Sequence, residues 1–108
     1  KMLGYSVDAR DGLTEREREE FLIDFCECAE LPANLPPSYS DPWGKPSTKT
    51  RIHRTAKHIG FVKRNFEKQD SMKYSRAISA WRRDFEFLQK RYEKMLSYQD
   101  WNNAAKGL

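Results

Sequence analysis

Two stretches of the chain combine cationic side chains with a phenylalanine at helical spacing. If each stretch forms a helix, with about 100° between successive residues, one set collects opposite Ile52 and the other opposite Phe85. The first set comprises Arg54, Lys57, His58, Phe61, Arg64 and Lys68. The second set comprises Arg76, Arg83, Phe87, Lys90 and Lys94. Lysine and arginine neutralise phosphates, and an aromatic ring stacks on an unpaired base. Both faces are therefore candidate binding surfaces for DNA or RNA.

Two other interpretations of these faces stay open. In a protein–protein interface, each phenylalanine would fill a pocket of the partner and the arginines would lie at the rim. That partner could be a second copy of the chain, whose acidic first helix would complement the basic faces. Alternatively, Phe61 and Phe87 cover other parts of the chain and the charges are ordinary solvated surface. Salt dependence separates the two binding hypotheses, because phosphate contacts weaken steeply as salt rises.

The cysteines and histidines do not form a pattern that favours a metal site. Cys26 and Cys28 are one residue apart, and on a helix they would point about 200° away from each other. That spacing excludes a disulfide within the helix, and adding His53 and His58 still gives a poor zinc site. We expect one cysteine in the core and the other partly exposed.

Signals of catalysis are weak as well. The glutamates near residue 15 suit the start of a helix, where the dipole favours negative charge. Gly44-Lys45 is followed by Pro46 and not by the serine or threonine of a phosphate-binding loop. We expect a binding module without catalytic residues, metal or cofactor.

Charge is distributed unevenly along the 108 residues. Residues 1–44 hold four Lys or Arg against ten Asp or Glu, whereas residues 45–68 hold eight against one. Residues 69–108 hold eight against five. Such asymmetry bears on the choice of partner, and it favours a polyanion for the second and third parts.

Periodicity and capping signals predict three helices. Thr14 followed by Glu17 forms a capping box, and helix one runs over residues 15–29. All five prolines lie between Pro32 and Pro46, which predicts an ordered, extended strap over residues 30–46, with Leu35, Tyr39 and Trp43 as pins. A flexible linker is the alternative for this segment. A turn-like lead precedes helix one over residues 1–13.

The two basic faces lie on the remaining helices. Ser47 is the expected N-cap of helix two, residues 48–68. Asp70 or Ser71 is the expected cap of helix three, residues 71–97, whose apolar residues alternate spacings of three and four. A tail follows over residues 98–108. The predicted fold is all-α, a single-domain compact three-helix bundle with the proline-rich strap between helices one and two.

The composition of the chain predicts where in the cell the protein is found. No stretch approaches the roughly 18 apolar residues of a membrane span, and the first residues lack the apolar core of a signal peptide. We therefore expect a cytoplasmic protein that does not act at a membrane. The chain begins with Lys1, so it could be part of a longer protein that carries chemistry elsewhere.

Several short motifs of the chain resemble those of a known class of domain. The resemblance rests on Leu3-Gly4-Tyr5, Gly12-Leu13-Thr14 with Arg18, Trp43-Gly44, Thr50-Arg51-Ile52, and Ala77-Ile78 with Trp81, Asp84, Phe85 and Leu88. With these motifs the chain is similar to small helical accessory domains of uncharacterised bacterial proteins, some linked to phage defence or DNA metabolism. The resemblance implies an appended helical module and supplies no catalytic residue.

Overall fold

Regular structure in the described part of the chain is helical throughout. The computed structural model describes residues 12–31 and 33–106, except for the side chain of Tyr39. The helices are α1 (Glu15–Glu27), α2 (Pro37–Ser40), α3 (Lys49–Asp70), α4 (Ser75–Arg91) and α5 (Tyr98–Ala104). Two 3-10 turns, Asp41–Trp43 and Glu93–Met95, follow α2 and α4. Most of the expected lead, residues 1–11, lies outside the described residues.

The all-α class is confirmed, but the count of three helices is not. Helices α1, α3 and α4 correspond to the predicted helices one, two and three. Helix α2 is a single turn, whereas α5 is a fourth helix in the segment that we expected to be a tail. Its Trp101 is buried and meets Phe85 of α4 edge to face, with 6.0 Å between the ring centroids.

Helix α1 begins where the capping box predicts. The Thr14 hydroxyl accepts from the Glu17 amide, and the Glu17 carboxylate accepts from the Thr14 amide. The helix ends at Glu27, two residues before the predicted Ala29. Leu22, Phe25 and Cys26 form its buried face.

The segment over residues 30–46 is less extended than predicted. Two of its prolines lie in the first positions of short helical turns, where a fixed φ and a missing amide are well tolerated: Pro37 begins α2, and Pro42 is the second residue of the following 3-10 turn. Of the three predicted pins, Trp43 is confirmed, since it is buried and packs edge to face on Phe25 with 5.3 Å between the ring centroids. Leu35 is only partly buried, and the Tyr39 side chain lies outside the described residues. Gly44 has a φ of +64°, a value that favours glycine.

Helix α3 lies at the centre of the fold and contacts α1, α4, α5 and the Asp41–Trp43 turn. Its N-cap is Thr48, whose hydroxyl accepts from the Arg51 amide, so the prediction of Ser47 was wrong by one residue. Ser47 instead donates its hydroxyl to the Glu27 carbonyl and its amide to the Cys26 carbonyl. It therefore fastens the start of α3 to the end of α1.

Helix α4 is shorter than predicted at both ends. Asp70 does not cap it; its carboxylate accepts from the amides of Met72 and Lys73 and forms the turn that separates α3 from α4. At the other end the chain leaves the helix at Tyr92, passes through the Glu93–Met95 turn and becomes extended at Leu96. Tyr92 and Met95 therefore still pack on the core, as the apolar spacing predicts, although the α-helix has ended before them.

Two buried arginines hold the helices together. Arg51 donates to the carbonyl oxygens of Trp43 and Gly44 at 3.1 and 2.9 Å, and to those of Phe25 and Ala29 at 2.7 and 2.8 Å. Arg18 Nε lies 2.8 Å from Asp84 Oδ2 and joins α1 to α4.

Candidate nucleic-acid interface

The cationic face predicted on helix two is exposed on α3. We call Arg54, Lys57, Phe61, Arg64 and Lys68 the α3 stripe. Three of its cations are exposed, Arg64 is partly buried, and Phe61 is 57% exposed. On an α-helix these five residues span about 21 Å at 1.5 Å per residue. The structure therefore places all five predicted residues of this helix in one row on the surface.

No carboxylate neutralises the α3 stripe within residues 12–31 and 33–106. The ion pairs there join Arg16 to Glu20, Arg18 to Asp84, Lys63 to Glu67, and Arg91 to Glu27. The sequence from Lys49 to Phe66 contains no aspartate or glutamate. The positive charge of the α3 stripe is therefore available to an anionic ligand.

One edge of the α3 stripe is bounded by Trp43. The Arg54 guanidinium carbon lies 5.4 Å from the centroid of the Trp43 ring, and the His58 ring lies 5.8 Å from it. The cation–π contact restrains Arg54 where it remains exposed. Burial lowers the pKa of His58 to about 4, with a further contribution from the Arg54 charge. His58 is therefore neutral near pH 7 and adds no charge to the surface.

The other edge is bounded by α5. Gly60 faces the end of that helix so closely that a Cβ on it would lie 2.6 Å from the Ala104 carbonyl oxygen. Helix α3 is thus flanked on one side near Arg54 and His58 and on the other side at Gly60. The α3 stripe therefore lies on a helix embedded between Trp43 and the end of α5.

The second predicted face, on α4, is less complete. We call Arg76, Arg83, Phe87, Lys90 and Lys94 the α4 set. Its cations are exposed, but Phe87 is partly buried and packs against the core. Lys94 lies in the Glu93–Met95 turn and not on the helix. Glu86 is exposed between Arg83 and Lys90, which lowers the net charge of this face.

The two faces point to opposite sides of the α3–α4 pair. The Phe66 ring stacks on Trp81, with 5.1 Å between centroids, so these residues mark the contact between the helices. At 100° per residue, Phe61 and Lys57 lie about 140° and 180° from Phe66. By the same count Arg83 and Lys90 lie about 160° and 180° from Trp81. The α3 stripe and the α4 set are therefore separate surfaces.

Lys63 is a cation of α3 that sequence reasoning missed. Its side chain is fully buried, and its Nζ lies 2.7 Å from Glu67 Oε1. The signal was present in the sequence, because Glu67 is the only acidic residue from Lys45 to Lys68 and lies four residues after Lys63.

A polar cluster at the end of α1 was also missed. Glu27 Oε2 accepts from the Tyr92 hydroxyl at 2.6 Å and from Arg91 Nε at 3.1 Å. The hydrogen bond from Tyr92 lowers the pKa of Glu27, and burial raises that of Tyr92. The cluster borders an open cavity of about 330 Å³ that Ile52 and Met95 also line. A negative charge in the last turn of a helix interacts unfavourably with the helix dipole. The position of Glu27 at the end of α1 was therefore a sequence signal that a donor stabilises its carboxylate.

The cysteines lie as predicted, with Cys26 buried, Cys28 exposed and no disulfide between them. Burial raises the pKa of Cys26 to about 11, so its thiol is protonated near pH 7. Among the side chains that the structure describes, no group of three or more His, Cys, Asp or Glu could hold a metal ion. None of the described helices has both the length and the apolar character needed to cross a membrane.

Comparison of the chain with protein-family models, with curated proteins and with solved structures finds no match.

Proposed function

We propose that the chain is a non-enzymatic helical module that binds nucleic acid through the α3 stripe. The observation that carries this proposal is a row of four cations around an exposed phenylalanine, with no carboxylate paired to it in the described part of the chain. A face that only keeps a protein soluble gains nothing from an exposed aromatic ring at its centre. The arrangement suits a ligand that carries both negative charge and flat apolar surfaces.

The charge on the α3 stripe sets the expected salt dependence. Four phosphate contacts give a slope of log K against log salt of about −3 to −4. None of the ion pairs in the described part of the chain involves a cation of the α3 stripe, so all four cations are available for phosphate contacts. Binding should therefore be clear at low salt and weak at high salt.

The experiment is a titration of labelled nucleic acid, followed by fluorescence anisotropy at a low and a high salt concentration. The test variant is Lys57→Glu with Arg64→Glu, which reverses two charges of the α3 stripe. The matched control is Arg83→Glu with Lys90→Glu, which makes the same change on the opposite side of the α3–α4 pair.

We expect the α3 variant to abolish binding and the α4 variant to retain most of it. Equal losses in the two variants would mean that net charge, and not the α3 stripe, governs the interaction. An absence of binding by the unmodified chain at low salt would refute the proposal.

A protein partner is the second candidate, and the exposure of Phe61 is the observation that favours it. In that case Phe61→Ala would weaken the complex strongly, and salt would have a much smaller effect. Self-association through the acidic α1 of a second copy is one form of this alternative. Sedimentation analysis at low and high salt detects it, because charge-driven dimers dissociate as salt rises.

A further inference from the structure

We infer that the nucleic acid bound by the α3 stripe is single-stranded and places one base on the Phe61 ring. This inference rests on the proposed function and specifies its ligand. It follows from three features of the α3 stripe: the embedding of α3, the order of the residues along it, and the exposure of Phe61.

The embedding of α3 between other parts of the chain disfavours the usual way in which a helix reads duplex DNA. A recognition helix of about 10–12 Å diameter enters a major groove about 12 Å wide and 8.5 Å deep. Here Trp43 lies against Arg54 and His58 on one side, and the Ala104 carbonyl lies against Gly60 on the other. Part of the circumference of α3 beside the stripe is therefore occupied by other parts of the chain and is not free to enter a groove.

The order of residues on the α3 stripe suits a single backbone laid along the helix. Arg54 and Lys57 precede Phe61 by seven and four residues, and Arg64 and Lys68 follow it by three and seven. Along the helix axis the outer cations lie about 10 Å from Phe61 on either side, and the inner ones about 5 Å from it. Cations therefore flank the aromatic ring in both directions, where the phosphates before and after a stacked base would lie.

The exposure of Phe61 indicates that the ligand offers an unpaired base. At 57% exposure its ring is open to solvent in the free protein. Bases inside a duplex are already stacked and do not offer a face to a side chain outside the helix. An unstacked base covers the ring, and such stacking contributes about 1–3 kcal/mol per base. That contribution corresponds to about 5- to 150-fold in affinity.

The test compares a single-stranded oligonucleotide with a duplex of the same length and sequence, at one low salt concentration. Both DNA and RNA forms are used, because stacking on Phe61 does not distinguish them. The variants are Phe61→Ala, which removes the ring, and Phe61→Tyr, which keeps it. Both change an exposed side chain, and circular dichroism checks that the helices are intact.

We expect the single strand to bind at least about 10-fold more tightly than the duplex. Phe61→Ala should weaken single-strand binding by about 5- to 150-fold, and Phe61→Tyr should retain it. The salt slope of Phe61→Ala should equal that of the unmodified chain, because no phosphate contact is lost. By contrast, Arg64→Gln should reduce the slope by about 0.7.

The two proposals fail in different ways. If neither form of nucleic acid binds, the proposed function is wrong. If the duplex binds as tightly as the single strand, or if Phe61→Ala binds the single strand unchanged, the single-strand inference is overturned while nucleic-acid binding stands.

Discussion

At the scale of single residues, the strongest local constraint comes from Arg51. This side chain is only 1% exposed and holds four carbonyl oxygens, two from the end of α1 and two from the Trp43–Gly44 region. Burial lowers the pKa of its guanidinium, but only from a value far above neutral, so the group stays charged. Arg51 therefore joins three segments of the chain through one side chain.

Replacing Arg51 should destabilise the fold severely. Arg51→Met leaves buried carbonyl oxygens without donors, each at a cost of about 1–3 kcal/mol, so we expect a loss of about 3 kcal/mol or more. Urea denaturation measures the change. The matched control is Lys49→Met, which removes a cation from the exposed surface of the same helix and should change stability by less than about 0.5 kcal/mol. Similar effects in the two variants would contradict the role assigned to Arg51.

The positions of the exposed cations could be predicted from the sequence, whereas the partners of the buried polar side chains could not. The exposed cations of α3 were predictable because their spacing places them opposite Ile52 on any helix. The pairing of Asp84 with Arg18 was not, because the two residues are 66 positions apart and only the packing of α1 against α4 brings them together. The partial burial of Phe87 depends on tertiary packing in the same way.

At the scale of elements, helix existence was predictable and some helix ends were not. The capping box at Thr14 is local and marks the start of α1 correctly. The apolar period of α4 continues past its end, so periodicity alone could not reveal the break at Tyr92. A local signal for α5 was present, because Ser97 is followed three residues later by Asp100. The Ser97 hydroxyl accepts from the Asp100 amide and caps that helix.

The contact between α3 and α5 should reverse the usual effect of replacing a helical glycine with alanine. Gly→Ala inside a helix normally stabilises it by about 0.5–1 kcal/mol. In Gly60→Ala the new methyl would meet the backbone oxygen of Ala104, which cannot rotate away, so we expect a loss of about 1–3 kcal/mol. Thermal or urea unfolding measures it. Asn65→Ala, an exposed change on the same helix, serves as the control and should be neutral or slightly stabilising. A stabilised Gly60→Ala protein would mean that α5 does not approach α3 this closely.

At the scale of the whole molecule, acidic and basic groups are segregated along the chain, and the fold presents the basic ones on two separate surfaces. The segregation was visible in the sequence, because it needs only the order of the charges. The opposite orientation of the α3 stripe and the α4 set was not visible. It depends on which faces of α3 and α4 meet, and the stacking of Phe66 on Trp81 decides that.

Global stability should fall as the solution is acidified below neutral pH, in part through His58. Its pKa is about 4 in the folded protein and about 6.5 when unfolded, so between these values the unfolded chain binds more protons. The contribution of His58 is complete above about pH 6.5 and is lost as pH falls towards 4. We expect the melting temperature of His58→Gln to fall less than that of the unmodified chain between about pH 7 and pH 5. Equal decreases would exclude the effect.

The inward position of Lys63 gives α3 an internal reference for chemical footprinting. Reagents that acylate amines should modify Lys57 and Lys68, whose side chains are exposed, and should spare Lys63, whose ammonium lies inside the fold beside Glu67. All three lysines lie on one helix, so loss of native structure would expose the Lys63 amine and make it reactive. A bound ligand would instead protect Lys57 and Lys68 and leave Lys63 unmodified. A single mass spectrum therefore distinguishes ligand binding from unfolding.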